Sequence, residues 1–574
     1  MIDLPLIDPS ARSRPRRSAR ASVAVALALA LIQGALLAAT AWDKADTFDE
    51  PFYLGVSAIL WTHGDLSANR SGALPKRVFG AAMALAGAGI DRVPPTRPDA
   101  VAAVVWARSG PELRRLLFTV RLTTIVATVL AGLLLWRIAL RFGPGVGLVT
   151  HALWCFSPTV LAHGSLATLD VWAAVLSVVT LWTVVRFLEA PGVGWSVAVG
   201  LAVAGAAASK VTTLGLAPLA LAAIVWGTAR APASRARSWG RVALALAVCA
   251  GAMGVGLWAA YGFTTGPAPF RAARALGPLP FPAWMTGLRG QMEHGFGEGH
   301  ANYLFGQVSD KGWWWFYLAC IALKTSLGAQ ALALLRGAAL VRRPPAAGSG
   351  WIDLALLSYP ALLLVVMSAS KHQGGICFLL PAFPFVMLWV GRVWDDARRA
   401  FGRVGLALCL VLLASGATET LARHPHHLMF VNAWVGGPVN APRYLVHRLD
   451  WGQDKRRLGE WLRTHDVRRV YYARYGGRPA QWGIPAEPVP CQPTEGVYAL
   501  HAIQVHRPVQ EHFPRGCVDW LTVEPPDERI GYSIYIYRVD AERLTRLQAG
   551  RDTRAPFWRS GPAAARAGVP LPGG

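Results

Sequence analysis

The sequence predicts a polytopic α-helical membrane protein with a small C-terminal α+β domain. Three observations carry that prediction. Charged residues make up only 16% of the 574 residues and mean hydropathy is +0.34, whereas a soluble domain carries about 25% charge. Many uncharged runs approach the roughly 20 residues a helix needs to cross a bilayer. After Leu421 the long apolar runs end and short, strand-like runs begin. The net charge of +24 would point a soluble protein toward nucleic acid. Here it fits loop arginines facing anionic lipid, so membrane lipids, and not nucleic acid, are the expected partners.

The elements follow in chain order. Residues 1–20 are basic, with Arg12, Arg14, Arg16, Arg17 and Arg20, and precede the uncharged run Ala21–Trp42. That run exceeds a signal-peptide core of roughly 7–15 residues and further spans follow, so it reads as an uncleaved first helix with a cytoplasmic N-terminus. The connection Asp43–Glu112 is too long for an ordinary loop. Phe52, Val56, Ile59 and Leu60 share one face there, which predicts an interfacial amphipathic helix over Pro51–His63. Ala81–Ile90 is a second candidate of that kind.

Ten more spans are expected: Leu113–Trp136, Val146–Leu161, Leu169–Val185, Val193–Ser209, Val211–Trp226, Val242–Tyr261, Trp313–Leu335, Trp351–Ser368, Ile376–Val393 and Val404–Leu421. With the first run that makes about eleven, and the boundary at Lys210 is the weakest. The short loops assigned to the cytoplasm carry Arg137, Arg141, Arg186, Arg230, Arg235, Arg336, Arg342, Arg392 and Arg398, as the positive-inside rule requires. Beyond the last span, a helix with Leu458, Trp461 and Leu462 precedes the strand-like runs Val470–Arg474, Val497–Val505 and Tyr532–Val539. The expected division is a membrane domain over 21–421, with outside loops 43–112 and 262–311, an extracytoplasmic domain over 422–554, and a disordered tail over 555–574. Cys155, Cys249, Cys320 and Cys409 lie in apolar runs and read as core residues. Cys491 and Cys517 are the only cysteines of the exported domain, where a disulfide is permitted.

The candidate site begins at Thr47-Phe48-Asp49-Glu50-Pro51, just past the first span. A carboxylate at that depth can take a proton from a hydroxyl or hold a divalent cation. Asp49 could instead only cap the helix that Pro51 opens. The same face collects His163, Asp170, Lys210, Lys371 and His372, while Arg121 and Lys324 lie within apolar segments, where a charge is costly. Singly, Asp170 could cap, Lys210 and Arg121 could snorkel and Lys371 could be solvated. Their clustering on the face of Asp49 and Glu50 favours a site. In the loop 262–311, Glu293, His294, Glu298 and His300 match no strong metal spacing, and a lid over a substrate groove is expected. His424-Pro425-His426-His427 reads as a juxtamembrane turn.

These residues resemble a family. Asp49-Glu50 in a long first outside loop, Leu161 to Asp170, Ala208-Ser209-Lys210, and Tyr303-Leu304-Phe305-Gly306 running into Trp313–Lys324-Thr325 all contribute. So do Gly374 to Pro384 with its paired prolines, Phe430-Val431-Asn432, Gly436-Gly437-Pro438 and Leu449-Asp450-Trp451-Gly452-Gln453-Asp454. Together they resemble bacterial polyprenyl-phosphate-sugar-dependent glycosyltransferases of the GT-C superfamily, akin to protein O-mannosyltransferases and lipid A aminoarabinose transferases. One departure is that such proteins often carry arginine or tyrosine beside the paired prolines, where this chain has Ile376-Cys377-Phe378.

The resemblance implies inverting transfer of a sugar from a polyprenyl-phosphate carrier to a hydroxyl of a protein, lipid or glycan acceptor, outside the cytoplasm of a bacterial inner membrane. In that reading Asp49 is the base, Glu50 orients it or a cation, and Asp170 is the second acid. Lys210, Arg121 and Lys371 are candidates for the donor phosphate, and His163, Lys324, His372, Asp450, Trp451 and Gln453 for the substrate groove. A divalent cation is left open, with Glu50 and Asp170 as candidate ligands. The alternative is a lipid-carrier flippase or secondary transporter. That class places ionisable residues near the midplane of repeated halves, whereas this chain gathers them at one face.

Overall fold

Long apolar helices form a bundle that carries a cap of loops and a five-stranded sheet. The computed structural model describes residues 16–90, 103–230, 235–270, 275, 277–297, 299–344, 350–506, 514 and 516–549. Among the described residues, seven helices are long and apolar enough to cross a membrane, or up to nine if each of two bent pairs is one span. Their outer faces show bare apolar side chains: Leu31 is 75% exposed, Leu334 75% and Leu354 72%. Such surface is stable only against lipid, and the chain is an integral membrane protein.

All eleven expected runs are helical, and the lower count reflects where helices break. Pro158 ends one helix at Cys155 and starts the next, giving a 56° bend between Pro144–Cys155 and Pro158–Gly164. Phe316–Lys324 and Leu327–Arg342 meet at 108° across Thr325-Ser326. Val193–Ser209 has 17 residues and falls short by length alone, while the last two runs merge into one stretch, Ile376–Leu421. Gly402 interrupts that stretch at φ 62°, a conformation open chiefly to glycine. Lys210 sits in extended backbone between Val193–Ser209 and the 3₁₀ turn Val211–Gly215. Small residues let helices touch: a Cβ on Gly200 would lie 2.3 Å from the Cys249 carbonyl oxygen.

The connection 43–112 holds helices Glu50–His63 and Ala73–Leu85, the second starting earlier than expected because its apolar face begins at Ala73. The loop 262–311 is built from two hairpins, β1 (Thr265–Pro267) with β2 (Pro278–Pro280) and β3 (Asn302–Leu304) with β4 (Gln307–Ser309), flanking helix Pro282–Met292. The C-terminal sheet comprises β5 (Val470–Tyr472), β6 (Ala486–Glu487), β7 (Gly496–His501), β8 (Glu528–Ile530) and β9 (Ile534–Val539), in the order β6-β5-β7-β9-β8. The run expected to reach Val505 as strand turns helical at Ala502. Cys491 and Cys517 are joined by a disulfide. The tail 555–574 and residues 1–15 lie outside the described residues.

The C-terminal domain grips the segment that leads to Asp49. Asp43 pairs with Arg456 at 2.6 Å and Arg457 at 2.9 Å, Lys44 with Asp454 at 2.6 Å, and Asp46 with Lys455 at 2.9 Å. The Ala45 and Phe48 N–H groups donate to the carbonyls of Gln453 (2.9 Å) and Trp451 (2.8 Å). Residues 43–48 are thereby fixed on one side by the sheet domain and on the other by the bundle.

Candidate active site

Glu50 shows how Asp49 is positioned. Its Oε1 accepts from Arg121 Nε (2.8 Å) and the Ala167 N–H (2.8 Å), and its Oε2 from Arg121 Nη2 (2.6 Å), the Thr47 N–H (2.9 Å) and Thr47 Oγ1 (3.1 Å). Burial pushes the Glu50 carboxyl up, but Arg121 and the backbone donors outweigh it and hold it below its ordinary range. Arg121 spends its remaining donors on the carbonyls of Ala41 and Lys44 (both 2.8 Å) and Ala45 (2.7 Å). Both side chains are fully buried. Arg121 has no N–H left for a donor phosphate, and Glu50 no lone pair free to orient the base or hold a cation. Both expectations are corrected: this pair is the clamp that fixes the Asp49 turn.

Asp49 remains available. It sits at the N-cap of Glu50–His63 yet its carboxylate makes no cap hydrogen bond, so the simple capping account fails. Its side chain is 26% exposed, and its nearest charged partner is Arg448 Nη2 at 3.9 Å. Burial raises its pKa, Asp170 and Glu50 add to the rise, and Arg448 opposes it. A carboxylate without hydrogen-bond partners among the described residues and with a raised proton affinity is suited to act as a general base.

Asp170, at the start of helix Asp170–Glu189, is the hub beside it. Lys210 Nζ donates to its Oδ1 through a short contact, and Arg448 Nη1 donates to its Oδ2 at 2.8 Å. His163 Nδ1 lies 3.9 Å away and has no hydrogen-bond partner. With two cations already on it, Asp170 is not placed as a metal ligand. The Lys210 ammonium lies 4.4 Å from the Phe378 ring centre, and the Arg448 guanidinium 5.3 Å from Phe378 and 4.6 Å from Trp451. Arg448 is thus held between two aromatic faces and two carboxylates. It stands next to Ile376-Cys377-Phe378, where the sequence lacks the arginine or tyrosine of the resembled family. Arg448 comes from a loop some seventy residues later. Its positive φ of 55° is the strained backbone that turns it inward, and the sequence carries no signal for it.

Lys324 closes the site on the membrane side. It is buried and donates to the Leu428 carbonyl at 2.7 Å, with no ion pair among the described residues. It lines two spaces at once. One is a small pocket formed with His163, Cys377, His447 and Arg448. The other is an apolar cavity of about 470 Å³ whose wall includes Phe156, Leu357, Pro360, Phe383, Met387 and Leu413.

The other expected groove residues divide. Trp451 and His163 line the centre. Asp450 is buried and turned away, accepting from the Gly452 N–H (3.2 Å) and paired with His501 Nδ1 at 3.0 Å. Gln453 binds the Trp451 N–H (2.7 Å) and the Leu449 carbonyl (2.9 Å). These two build the turn that presents Trp451 and are not groove residues. Lys371 is corrected as a phosphate ligand: its Nζ donates to the Gly297 carbonyl at 2.7 Å and its N–H to the Gly295 carbonyl at 2.7 Å, tying down the lid. His372 points to the lid histidines and not to Asp49. His426 Nδ1 meets Lys44 Nζ at 2.8 Å, consistent with a structural turn. Glu298 lies outside the described residues.

Comparison with known proteins gives three findings. Residues 113–255, well short of half the chain, match the family described as dolichyl-phosphate-mannose-protein mannosyltransferase. No curated protein matches the chain. Among solved structures, ArnT from Cupriavidus metallidurans bound to undecaprenyl phosphate is similar at 16% identity, covering 73% of this chain and 67% of its own, with a TM-score of 0.45. Its apo form is similar at 15% identity over 71% and 65%, with a TM-score of 0.43. AglB from Archaeoglobus fulgidus, in complex with an inhibitory peptide and a dolichol-phosphate, is similar at 14% identity over 71% and 56%, with a TM-score of 0.43. The chain therefore spans about two thirds or less of these structures' lengths. The resemblance read from the sequence has an independent match over 113–255, the segment that holds Arg121, His163, Asp170 and Lys210, which is similar to the dolichyl-phosphate-mannose-protein mannosyltransferase family.

Proposed function

We propose that this protein is a membrane glycosyltransferase that moves a sugar from a polyprenyl-phosphate carrier to an acceptor hydroxyl. The observation that carries the proposal is Lys324, a buried lysine that meets a carbonyl and no carboxylate among the described residues, at the junction of an apolar cavity and the pocket under Arg448. A lipid-linked phosphate has the matching shape: an apolar chain ending in a charged head. The cavity takes the polyprenyl segment, and Lys324 and Arg448 receive the phosphate. Asp49 removes the acceptor proton as the acceptor oxygen bonds to the sugar's anomeric carbon. The bond from that carbon to the phosphate oxygen breaks with inversion, and the phosphate leaves with the electron pair. Asp170 and Lys210 hold Arg448 in place. Lys210, expected to touch the phosphate directly, acts through that network.

In the same reading the chain lies in a bacterial inner membrane with its N-terminus in the cytoplasm. Residues 21–421 form the catalytic membrane domain, and 422–554 an extracytoplasmic domain that braces the Asp49 turn. The acceptor class, protein, lipid or glycan, is set by the cap loops. The test is to supply purified protein with lipid-phosphate-linked sugar and an acceptor and to measure release of lipid phosphate. The Asp49→Asn variant should fold and bind donor but lose turnover by about 10²–10⁴-fold. Near-normal turnover in that variant, or movement of the carrier across a bilayer without cleavage, rejects the proposal.

A further inference from the structure

Apart from the carboxylate centre, three imidazoles converge on the outer cap. His294 and His300 come from the glycine-rich end of the loop 262–311, and His372 from the turn after Gly350–Ser368. Ring centres lie 4.3 Å apart for His294–His372, 4.5 Å for His300–His372 and 5.6 Å for His294–His300. One ligating nitrogen from each falls within 4.8 Å of the other two. The His372 Nδ1 is buried without a hydrogen-bond partner among the described residues, which a purely structural stack of rings leaves unexplained, since buried polar atoms are normally satisfied. The surroundings already bring the two segments together: Ser370 Oγ and the Lys371 N–H both donate to the Gly295 carbonyl, at 3.1 and 2.7 Å.

We propose that His294, His300 and His372 bind a divalent transition ion of the zinc class, which staples the 293–300 segment of the lid to the 370–373 turn. Three neutral imidazoles are the donor set such an ion prefers over magnesium or calcium, which seek oxygen. Tetrahedral coordination at about 2.0–2.1 Å places nitrogens about 3.4 Å apart, so the rings must close by roughly 1–1.5 Å. The Gly295 carbonyl anchors the segment to the 370–373 turn, and the glycines that flank His294 and His300 ease the small backbone adjustment on either side of that anchor. A fourth position stays open for water or a substrate oxygen. The site reaches the centre through one ring: Phe378 is 5.5 Å from His372 and 4.4 Å from the Lys210 ammonium. Fixing His372 therefore fixes the aromatic face against which Lys210 and Arg448 rest. This site depends on the histidine geometry alone, not on the reaction assigned above.

The experiment uses the full chain, purified through a tag without histidine, stripped with chelator and titrated with zinc against a chromogenic zinc indicator. Bound metal is counted by elemental analysis, and loop protection is followed by limited proteolysis between 293 and 300. The expected result is one zinc per chain, with proteolysis of the lid slowed when zinc is present. His294→Ala, on an exposed residue, and His372→Ala should each weaken zinc binding at least tenfold and abolish the protection. His465→Ala, an exposed histidine stacked on Trp461, should change neither. A wild-type chain that takes up no zinc, or site variants that hold zinc and protect the lid as the wild type does, overturns the proposal.

Discussion

Replacing Glu50 by glutamine separates a positioning carboxylate from a chemical one. The substitution is nearly isosteric but leaves Arg121 as a fully buried guanidinium with no counter-charge. It also turns an amide NH₂ toward either the donors now on Oε1 (Arg121 Nε and the Ala167 N–H) or those on Oε2 (Arg121 Nη2, the Thr47 N–H and Oγ1). Breaking a buried pair by removing one partner costs about 3–5 kcal/mol. Orphaned buried donors account for much of that figure, at about 1–3 kcal/mol each, so the two must not be added. A loss of that size raises the unfolded fraction by about two to three and a half orders of magnitude. The assay is thermal or denaturant unfolding of the detergent-solubilised chain, run as a double-mutant cycle with Arg121→Met. The double variant should be less destabilised than the two single losses predict, because neither partner is left alone.

The sign of the pH dependence follows from the depressed Glu50 pKa. The stabilisation is fully present above the unfolded glutamate value, about 4.3, and is lost as pH falls through the lower folded value. The gap between wild type and Glu50→Gln should therefore be constant around neutrality and narrow only in strong acid. A Glu50→Gln variant that unfolds like the wild type at pH 7, or a strictly additive cycle, refutes the clamp. Lost turnover in a stable double variant would return Glu50 to the chemistry.

Three further outcomes are expected. Arg448 opposes the raised pKa of Asp49, so Arg448→Gln should move the acid limb of kcat/KM to higher pH in addition to slowing turnover; an unmoved limb separates the two residues. Lys324→Met removes a buried cation that meets only a carbonyl, so stability should hold or rise while donor KM increases about 10- to 150-fold, the worth of one charged hydrogen bond; unchanged KM removes Lys324 from the phosphate site. Cys491→Ser should loosen the sheet domain by about 2–4 kcal/mol, read as faster proteolysis there, with transfer retained; wild-type proteolytic resistance would count against the disulfide.

Much of the fold was legible because the bilayer imposes it. Apolar runs of fixed length, arginine-bearing loops and a change of composition after Leu421 specify helices and boundaries without tertiary knowledge. What they do not specify is where a helix bends, as at Thr325-Ser326, where the backbone yields to let Lys324 end at a cavity. The site was legible as a neighbourhood and less so as roles. Asp49 and Glu50 are adjacent in sequence and look interchangeable, yet among the described residues the Glu50 carboxylate accepts five hydrogen bonds and that of Asp49 none. Only the position of Arg121, a whole helix away, decides which is which. Arg448 was invisible because nothing local marks an arginine in a polar loop as the one that turns inward. Asp450 and Gln453 drew notice for belonging to a polar turn, but the turn's product is Trp451, which touches Arg448. The lid histidines had no useful spacing along the chain because their third member, His372, comes from another segment.

The charges at the centre fit the proposed transfer in one further respect. Asp49 and Asp170 face Lys210 and Arg448, and in the proposed donor complex, with Lys324 charged beside the phosphate, three cations meet two carboxylates and leave one positive charge for the donor. The lipid-linked sugar phosphate is a diester carrying a single negative charge, and its arrival makes the site neutral. Transfer turns that diester into a monoester with a second negative charge, while the acceptor's proton moves to Asp49 and cancels that carboxylate. The site is again neutral. In a buried environment, where an unpaired charge is costly, the reaction proceeds with no net charge appearing at any stage. The raised pKa of Asp49 belongs to the same arrangement, since the base must keep its proton beside a doubly charged leaving group. An aspartate drawn into a salt bridge as tight as that of Asp170 would do the opposite. The 3.9 Å gap between Asp49 and Arg448, against 2.8 Å for Asp170, is the structural difference on which the proposed roles, one aspartate as base and the other as its support, rest.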